Sequence, residues 1–215
     1  MKDIAPKIAE RKMKAKIILI KLKKLLPHAG MILRYSNGWE CLVSVILSAQ
    51  CTDKKVNEVT AKLFKKYQKL DDYLRAKPKE FEKDIYSTGF YKNKTKNILA
   101  AAKVIKEEFH GRIPKTMAEM LTIPGVARKT ANVVLGNVHG IVEGIAVDTH
   151  VKRLAFRFGL TDEEIPEKVE RDLMALIPKK DWFKSTYLFI EYGRKFCPAK
   201  RHDHMRCPLR GFDRK

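Results

Sequence analysis

Apolar residues recur three and four positions apart along most of the chain. The pattern is clearest in WECLVSVILSAQ (39–50), VNEVTAKLFKKY (56–67), TKNILAAAKVIKEEF (95–109) and VERDLMALI (169–177). Each of these segments places one apolar stripe on a helix of 3.6 residues per turn. No stretch alternates convincingly with the period of two that a half-buried strand requires. Breakers bound the segments: Pro27 and Gly30 after the first helix, Gly89 ahead of 95–109, Gly111 and Pro114 behind it, Gly140 and Gly144 around a loop, and Pro178 after 169–177. The pattern predicts an all-α chain of roughly ten helices with short connections, without an internal repeat or a low-complexity linker.

The lysine-rich segment up to residue 26 has two readings. It is either an arm lying along a phosphate backbone, or an amphipathic helix that docks through Ile8, Ile17, Ile18, Leu22, Leu25 and Leu26, and its apolar periodicity favours the docked helix.

Charge changes the picture more than composition does. With 45 % hydrophobic residues among 215, the chain can bury a core as one domain or two small lobes. Its 45 lysines and arginines against 25 acids give a formal net charge of +20. Such an excess attracts a polyanion by neutralising phosphates and releasing their counterions, which makes nucleic acid the leading partner ahead of a membrane surface. Four dispersed cysteines, Cys41, Cys51, Cys197 and Cys207, do not form the dense framework of a secreted mini-domain, and a reducing cytosol fits them. Cys41 and Cys51 read as small core residues on an apolar helix. The early apolar run IILI (17–20) is too short for a signal segment or a membrane span, and Asp3 and Glu10 oppose a transit peptide. The expected location is cytoplasmic, with the nucleoid, and no membrane partner.

Candidate chemistry sits in IPGVARKTANVVLGN (123–137). Pro124 and Gly125 make a tight turn, and the helix beginning near Ala127 directs its unpaired amides and positive dipole end away from that turn. With the short helix TMAEMLTI ahead of it, this is a helix-hairpin-helix, which grips a backbone phosphate through main-chain amides without reading sequence. Gly125, Val126, Ala127 and Arg128 are the expected DNA contacts. A lysine at 129 is ordinarily a second phosphate contact or a solvated charge. Here the helix end and Arg128 both disfavour a further positive charge, so its amine can be considered as a nucleophile. Asp148, nineteen residues on in AVDTHVKRL, is its candidate partner; it also reads as an ordinary helix N-cap, and both roles can coexist.

These residues carry a resemblance. IPGVARKTANVVLGN followed by IAVDTHVKRLAFRFGL resembles the signature of the endonuclease III family, bifunctional DNA glycosylases with a helix-hairpin-helix and a Gly/Pro-Asp loop. LSAQCTDKKVN (47–57) and STGFYKNKTKNI (87–98) resemble two further family segments, in the same order, and the likeness runs from about residue 17 to 207. The resemblance implies excision of oxidised pyrimidines from double-stranded DNA, then strand cleavage by β-elimination, with abasic sites as further substrates. It implies Lys129 as nucleophile and Asp148 as the carboxylate that stabilises positive charge on the sugar. It places Gln50 at the gap-filling position, Phe90 at a wedge position, and Asp53 and His150 in the pocket for the extruded base. Taken without the family, Gln50 is a helix-end polar group, Phe90 a core aromatic, and Asp53 a cap for the helix at 54–67.

The tail departs from the family. Many members end in four cysteines spaced C-x6-C-x2-C-x5-C around a 4Fe-4S cluster. Counting from Cys197, the remaining positions here fall on His204, Cys207 and Asp213. A set of two cysteines and two histidines drawn from His202 or His204 would suit zinc. The expectation adopted is nevertheless no cluster, no metal ligand and no cofactor, with Lys200, Arg201 and Arg206 free to touch the backbone. The resemblance further implies a two-lobe glycosylase fold with the DNA cleft between lobes: 40–143 as one helical lobe, 1–39 with 144–215 as the second, acting as a monomer. Its rivals are a glycosylase of the same superfamily that uses water and the aspartate alone, and a non-catalytic helix-hairpin-helix DNA-binding protein.

Overall fold

The computed structural model describes residues 4–214. Asp3 and the extreme ends of the expected second lobe lie outside the described residues. Among the described residues there are eleven α-helices and no strand. They are α1 (Ile4–Leu25), α2 (Gly38–Leu47), α3 (Asp53–Lys66), α4 (Leu70–Leu74), α5 (Pro78–Ile85), α6 (Tyr91–Glu107), α7 (Met117–Thr122), α8 (Arg128–Val134), α9 (Thr149–Arg157), α10 (Pro166–Leu176) and α11 (Trp182–Lys195). No helix among them is long and apolar enough to cross a membrane. The helices fall into two compact units. Ile32–Ile141 form one; the segments up to Met31 and from Val142 onward form the other.

In the Ile32–Ile141 unit, α2 is the central helix, and every residue from Glu40 to Leu47 is buried. A helix that is apolar on all sides requires neighbours all round, and α3, α6 and α8 supply them. Its start is held by Asn37, whose side chain accepts from the Glu40 amide at 2.9 Å. The helix ends at Leu47, earlier than the apolar run to Gln50 predicts. Ser48 Oγ donates to the Val45 carbonyl at 2.7 Å, and Gln50 takes a left-handed conformation with φ 52°, so the backbone leaves the helix while the sequence still looks helical. Of the two early cysteines, Cys41 is therefore the core thiol, fully buried and pushed up to about 12 by loss of solvent. Cys51 lies beyond the helix in a bend and is half-buried.

The other unit is built on one apolar core contributed by α1, α9, α10 and α11. From α1 the buried residues are Ala15, Ile18, Leu19 and Leu22, continued by Leu26 just past its end, spaced as a single helical face. Ile8, Ile17 and Leu25, also expected to dock, are exposed, because they lie on the flank shared with the lysines. Since Ile18 and Leu22 have no exposed surface, this part of α1 is a docked helix and not an arm. Its Lys7 and Arg11 meet Asp162 across the unit at 3.1 and 2.5 Å, and Arg214 joins the same carboxylate. These cations, Arg11 foremost, hold the Asp162 carboxyl well below the usual carboxylate range.

Candidate functional site

The hairpin is assembled by local rules. Thr116 caps α7: its hydroxyl oxygen accepts from the Glu119 amide at 3.3 Å, and the hydroxyl donates to the Glu119 carboxylate at 2.8 Å. Pro124 follows Ile123, the C-cap of α7, and Gly125 turns left-handed at φ 80°. Glycine is required there twice over: that φ disfavours a side chain, and a Cβ would sit 2.8 Å from Asn97 Cβ on α6. The Val126 amide donates to the Ile123 carbonyl at 3.1 Å and its side chain is buried, so Val126 closes the turn from inside. Ala127, where a second glycine is usual in the family, has φ −94° and serves as the extended residue before α8; an ordinary side chain fits without strain. Arg128 and Lys129 are the first two residues of α8, both half-buried.

Two further candidates in this unit share a feature. Among the described residues, three that are not glycine have positive φ, and two of them are Gln50 (φ 52°) and Phe90 (φ 48°). Each such residue costs about 1–2 kcal/mol and is maintained only where the surroundings impose it. Phe90 is 62 % exposed, which removes its reading as a core aromatic. Between the two sits Lys94, a residue for which no role is expected from its pattern. Its buried ammonium donates to the Leu47 and Thr88 carbonyls, both at 2.8 Å. Lys94 thus ties the end of α2, just before Gln50, to the turn just before Phe90. Burial lowers its pKa from the ordinary lysine value. The only signal was a lysine on the apolar side of α6, indistinguishable in sequence from a solvated one. Asp53 is the first residue of α3, and the capping role falls to Thr52, which accepts from the Lys55 amide at 3.3 Å.

In the other unit, Asp148 is the N-cap of α9, accepting from the Val151 amide through Oδ1 at 2.8 Å. That bond fixes the orientation of its carboxylate. His150, the second residue of the same helix, is half-buried. Burial is the main cause that lowers its pKa, opposed by the charge of Asp148. α11 reaches the ring only because residue 193 is glycine: a Cβ there would lie 2.5 Å from His150 Nδ1.

The expectation of no metal and no cofactor requires correction. Cys197, His202, His204 and Cys207 each offer one ligand atom, and these four atoms all lie within 4.8 Å of one another, a group that could hold a metal ion. The 4Fe-4S cluster implied by the resemblance does not fit this donor set. It needs four thiolates, and the position of the fourth is Asp213, whose carboxylate is held by Arg157 Nε and Nη2 at 2.8 and 2.6 Å. The two-cysteine, two-histidine set that the sequence also offers is the one brought together, with His202 entering from outside the family spacing.

An all-helical chain with this hairpin and an aspartate-capped helix after a glycine loop defines a class, the helix-hairpin-helix proteins that excise bases from DNA. The model of the HhH-GPD superfamily of base excision DNA repair proteins matches residues 43–179. Endonuclease III of Synechocystis sp. is 49 % identical over 201 residues, 94 % of this chain and 92 % of the relative. Endonuclease III of Bacillus subtilis is 44 % identical over 192 residues, covering 89 % and 87 %. Among solved structures, a trapped endonuclease III–DNA covalent intermediate in an estranged-adenine complex matches with TM-score 0.90 at 39 % identity, covering 94 % of this chain and 95 % of that one. The chain belongs to the endonuclease III family. It is a base excision repair enzyme, a DNA N-glycosylase with AP lyase activity, and its partner is DNA.

Proposed function

We propose that Lys129 and Asp148 carry the chemistry and that the lesion is an oxidised pyrimidine in duplex DNA, or the abasic site left after its loss. The observation that carries this reading is the position of Lys129, the second residue of α8 immediately behind the Pro124–Gly125 turn. The Lys129 amine attacks C1′ of the damaged nucleotide and the N-glycosidic bond breaks, so the base departs with its electron pair and a proton. The sugar opens to a Schiff base on Nζ. Loss of a proton from C2′ then expels the 3′ phosphate and cuts the strand. Asp148, fixed by Val151, stabilises positive charge on the sugar as the base leaves and assists proton transfer from the lysine.

Gly125, Ala127 and Arg128 hold the backbone phosphate, with Val126 shaping the turn. Gln50 fills the gap left by the extruded nucleotide and Phe90 wedges the opposite strand. The left-handed backbone at both residues supports that pairing of roles, since strain of this kind concentrates at functional sites. Asp53 and His150 contact the extruded base. The enzyme acts as a monomer, in the cytoplasm with the nucleoid.

The test is Lys129→Gln on a duplex carrying one oxidised pyrimidine, scored separately for binding, base release and strand scission. Binding is expected within a few-fold of wild type, with both products lost. Base release at the wild-type rate would assign the first step to water. Equal wild-type activity on undamaged duplex would reject the lesion assignment.

A further inference from the structure

We propose that the Cys197–Cys207 loop binds a single zinc ion in tetrahedral S2N2 coordination, held by Cys197, His202, His204 and Cys207, in place of an iron-sulfur cluster. Ligand atoms bonded to one zinc at about 2.0–2.3 Å lie about 3.3–3.8 Å apart. Cys207 Sγ is 3.3 Å from His202 Nε2 and 3.8 Å from His204 Nδ1. The whole set needs only a small contraction from its 4.8 Å limit to close on one ion.

The arrangement also argues against an iron-sulfur alternative with the same donors. A two-iron cluster with two histidines and two cysteines puts the histidines on one iron and the cysteines on the other, at opposite ends of the body. Here one thiol stands beside both imidazoles, whose ring centroids are 4.0 Å apart, so the donors interleave around a point.

The surroundings prepare the ligands. His202 Nδ1–H donates to the Lys200 carbonyl at 2.9 Å, which fixes the tautomer that leaves the Nε2 lone pair facing the site. Arg153 donates to the Cys197 carbonyl at 2.5 Å, with Nη1 3.6 Å from Sγ, and so holds Cys197 in place at the site. The Cys207 thiol, which releases its proton to solvent when the ion binds, donates to the Phe196 carbonyl at 3.1 Å. Tyr192 OH accepts from the Leu209 amide at 3.1 Å, anchoring the loop's exit on α11. Binding through His204 Nδ1 moves the ring proton to Nε2, where Arg157 Nη1 now donates at 3.0 Å. Arg157 yields that contact and keeps its pair with Asp213.

Two thiolates and two imidazoles suit zinc among the available divalent ions. With all four positions filled by protein, the ion is structural. The experiment is metal and acid-labile sulfide analysis of the full-length protein purified under reducing conditions without added metal, with an absorption scan. One zinc per chain, no sulfide and no visible band is expected. Exchange of that zinc for cobalt(II) should give the intense visible bands of tetrahedral coordination with thiolate charge transfer. His204→Gln should weaken zinc binding by on the order of 10²-fold or more, whereas Arg201→Gln should not. Iron with sulfide, a Cys197–Cys207 disulfide, or no bound metal would each overturn the assignment. None of these readouts involves DNA or Lys129, so they stand or fall apart from the catalytic reading.

Discussion

The hairpin at 123–129 and the loop at 197–207 are both short irregular stretches next to a helix, yet they are specified in opposite ways. The hairpin is a backbone object. Its shape follows from Pro124, from the left-handed Gly125 pressed against Asn97, and from the Val126 amide that closes the turn. The tail loop is a side-chain object: Cys197, His202, His204 and Cys207 converge while the backbone around them is bends and one short 3-10 turn, His204–Arg206. Backbone rules act over a few residues and can be read from local sequence. Convergence of ligands depends on how the loop folds back, and spacing alone does not report it.

The largest test of this contrast is Asp148, a backbone cap in the structure and a chemical group in the proposed mechanism. Asparagine caps a helix as well as aspartate. Asp148→Asn should leave thermal stability within experimental error and lower the glycosylase rate by about 10²–10⁴-fold. Asp148→Ala should lose the same activity and, in addition, about 1 kcal/mol of stability. Equal stability losses in both variants would reduce the residue to its cap.

Lys94 comes next, because it is the side chain that holds backbone strain in the hairpin's unit. Lys94→Met removes the donor from the Leu47 and Thr88 carbonyls and should cost about 2–4 kcal/mol in denaturant unfolding. A variant of unchanged stability would show that Gln50 and Phe90 keep their left-handed backbone without it.

The smallest effect belongs to Asp162, which ties the tail to α1 through Arg214, Arg11 and Lys7. Its carboxyl is depressed in the folded state, so the stability it adds is present above the ordinary carboxylate pKa of about 3.9 and disappears as the pH falls through the folded-state value. The carboxylate is partly exposed, so screening limits the effect. Asp162→Asn should cost at most about 1 kcal/mol at pH 7, less in high salt, with the difference from wild type shrinking below about pH 4. A difference that persists under strong acid would assign the loss to packing instead.

Several parts of this molecule were legible before the structure and others were not, for the same physical reason. The hairpin, the cap at Asp148 and the apolar runs of α2, α3, α6 and α10 follow from local chemistry and periodicity. The end of α2 was misplaced because Ser48 and Gln50 turn the chain while its composition stays helical. On α1, apolar residues occur on more than one face, and only packing decides that Ile18 and Leu22 are buried while Ile17 and Leu25 are not. Lys94 is invisible because burial of a lysine depends on two carbonyls 47 and 6 residues away in sequence. The two-cysteine, two-histidine set could be named from the sequence, but the convergence of Cys197, His202, His204 and Cys207 could not, because His202 enters from outside the family spacing.

The most direct test of the catalytic account is borohydride trapping on a duplex with a single oxidised pyrimidine, followed by mapping of the cross-linked peptide by mass spectrometry. A reduced Schiff base on Lys129 that is absent from Lys129→Gln is the predicted result. Free base released without any adduct, or an adduct on another amine, would contradict it.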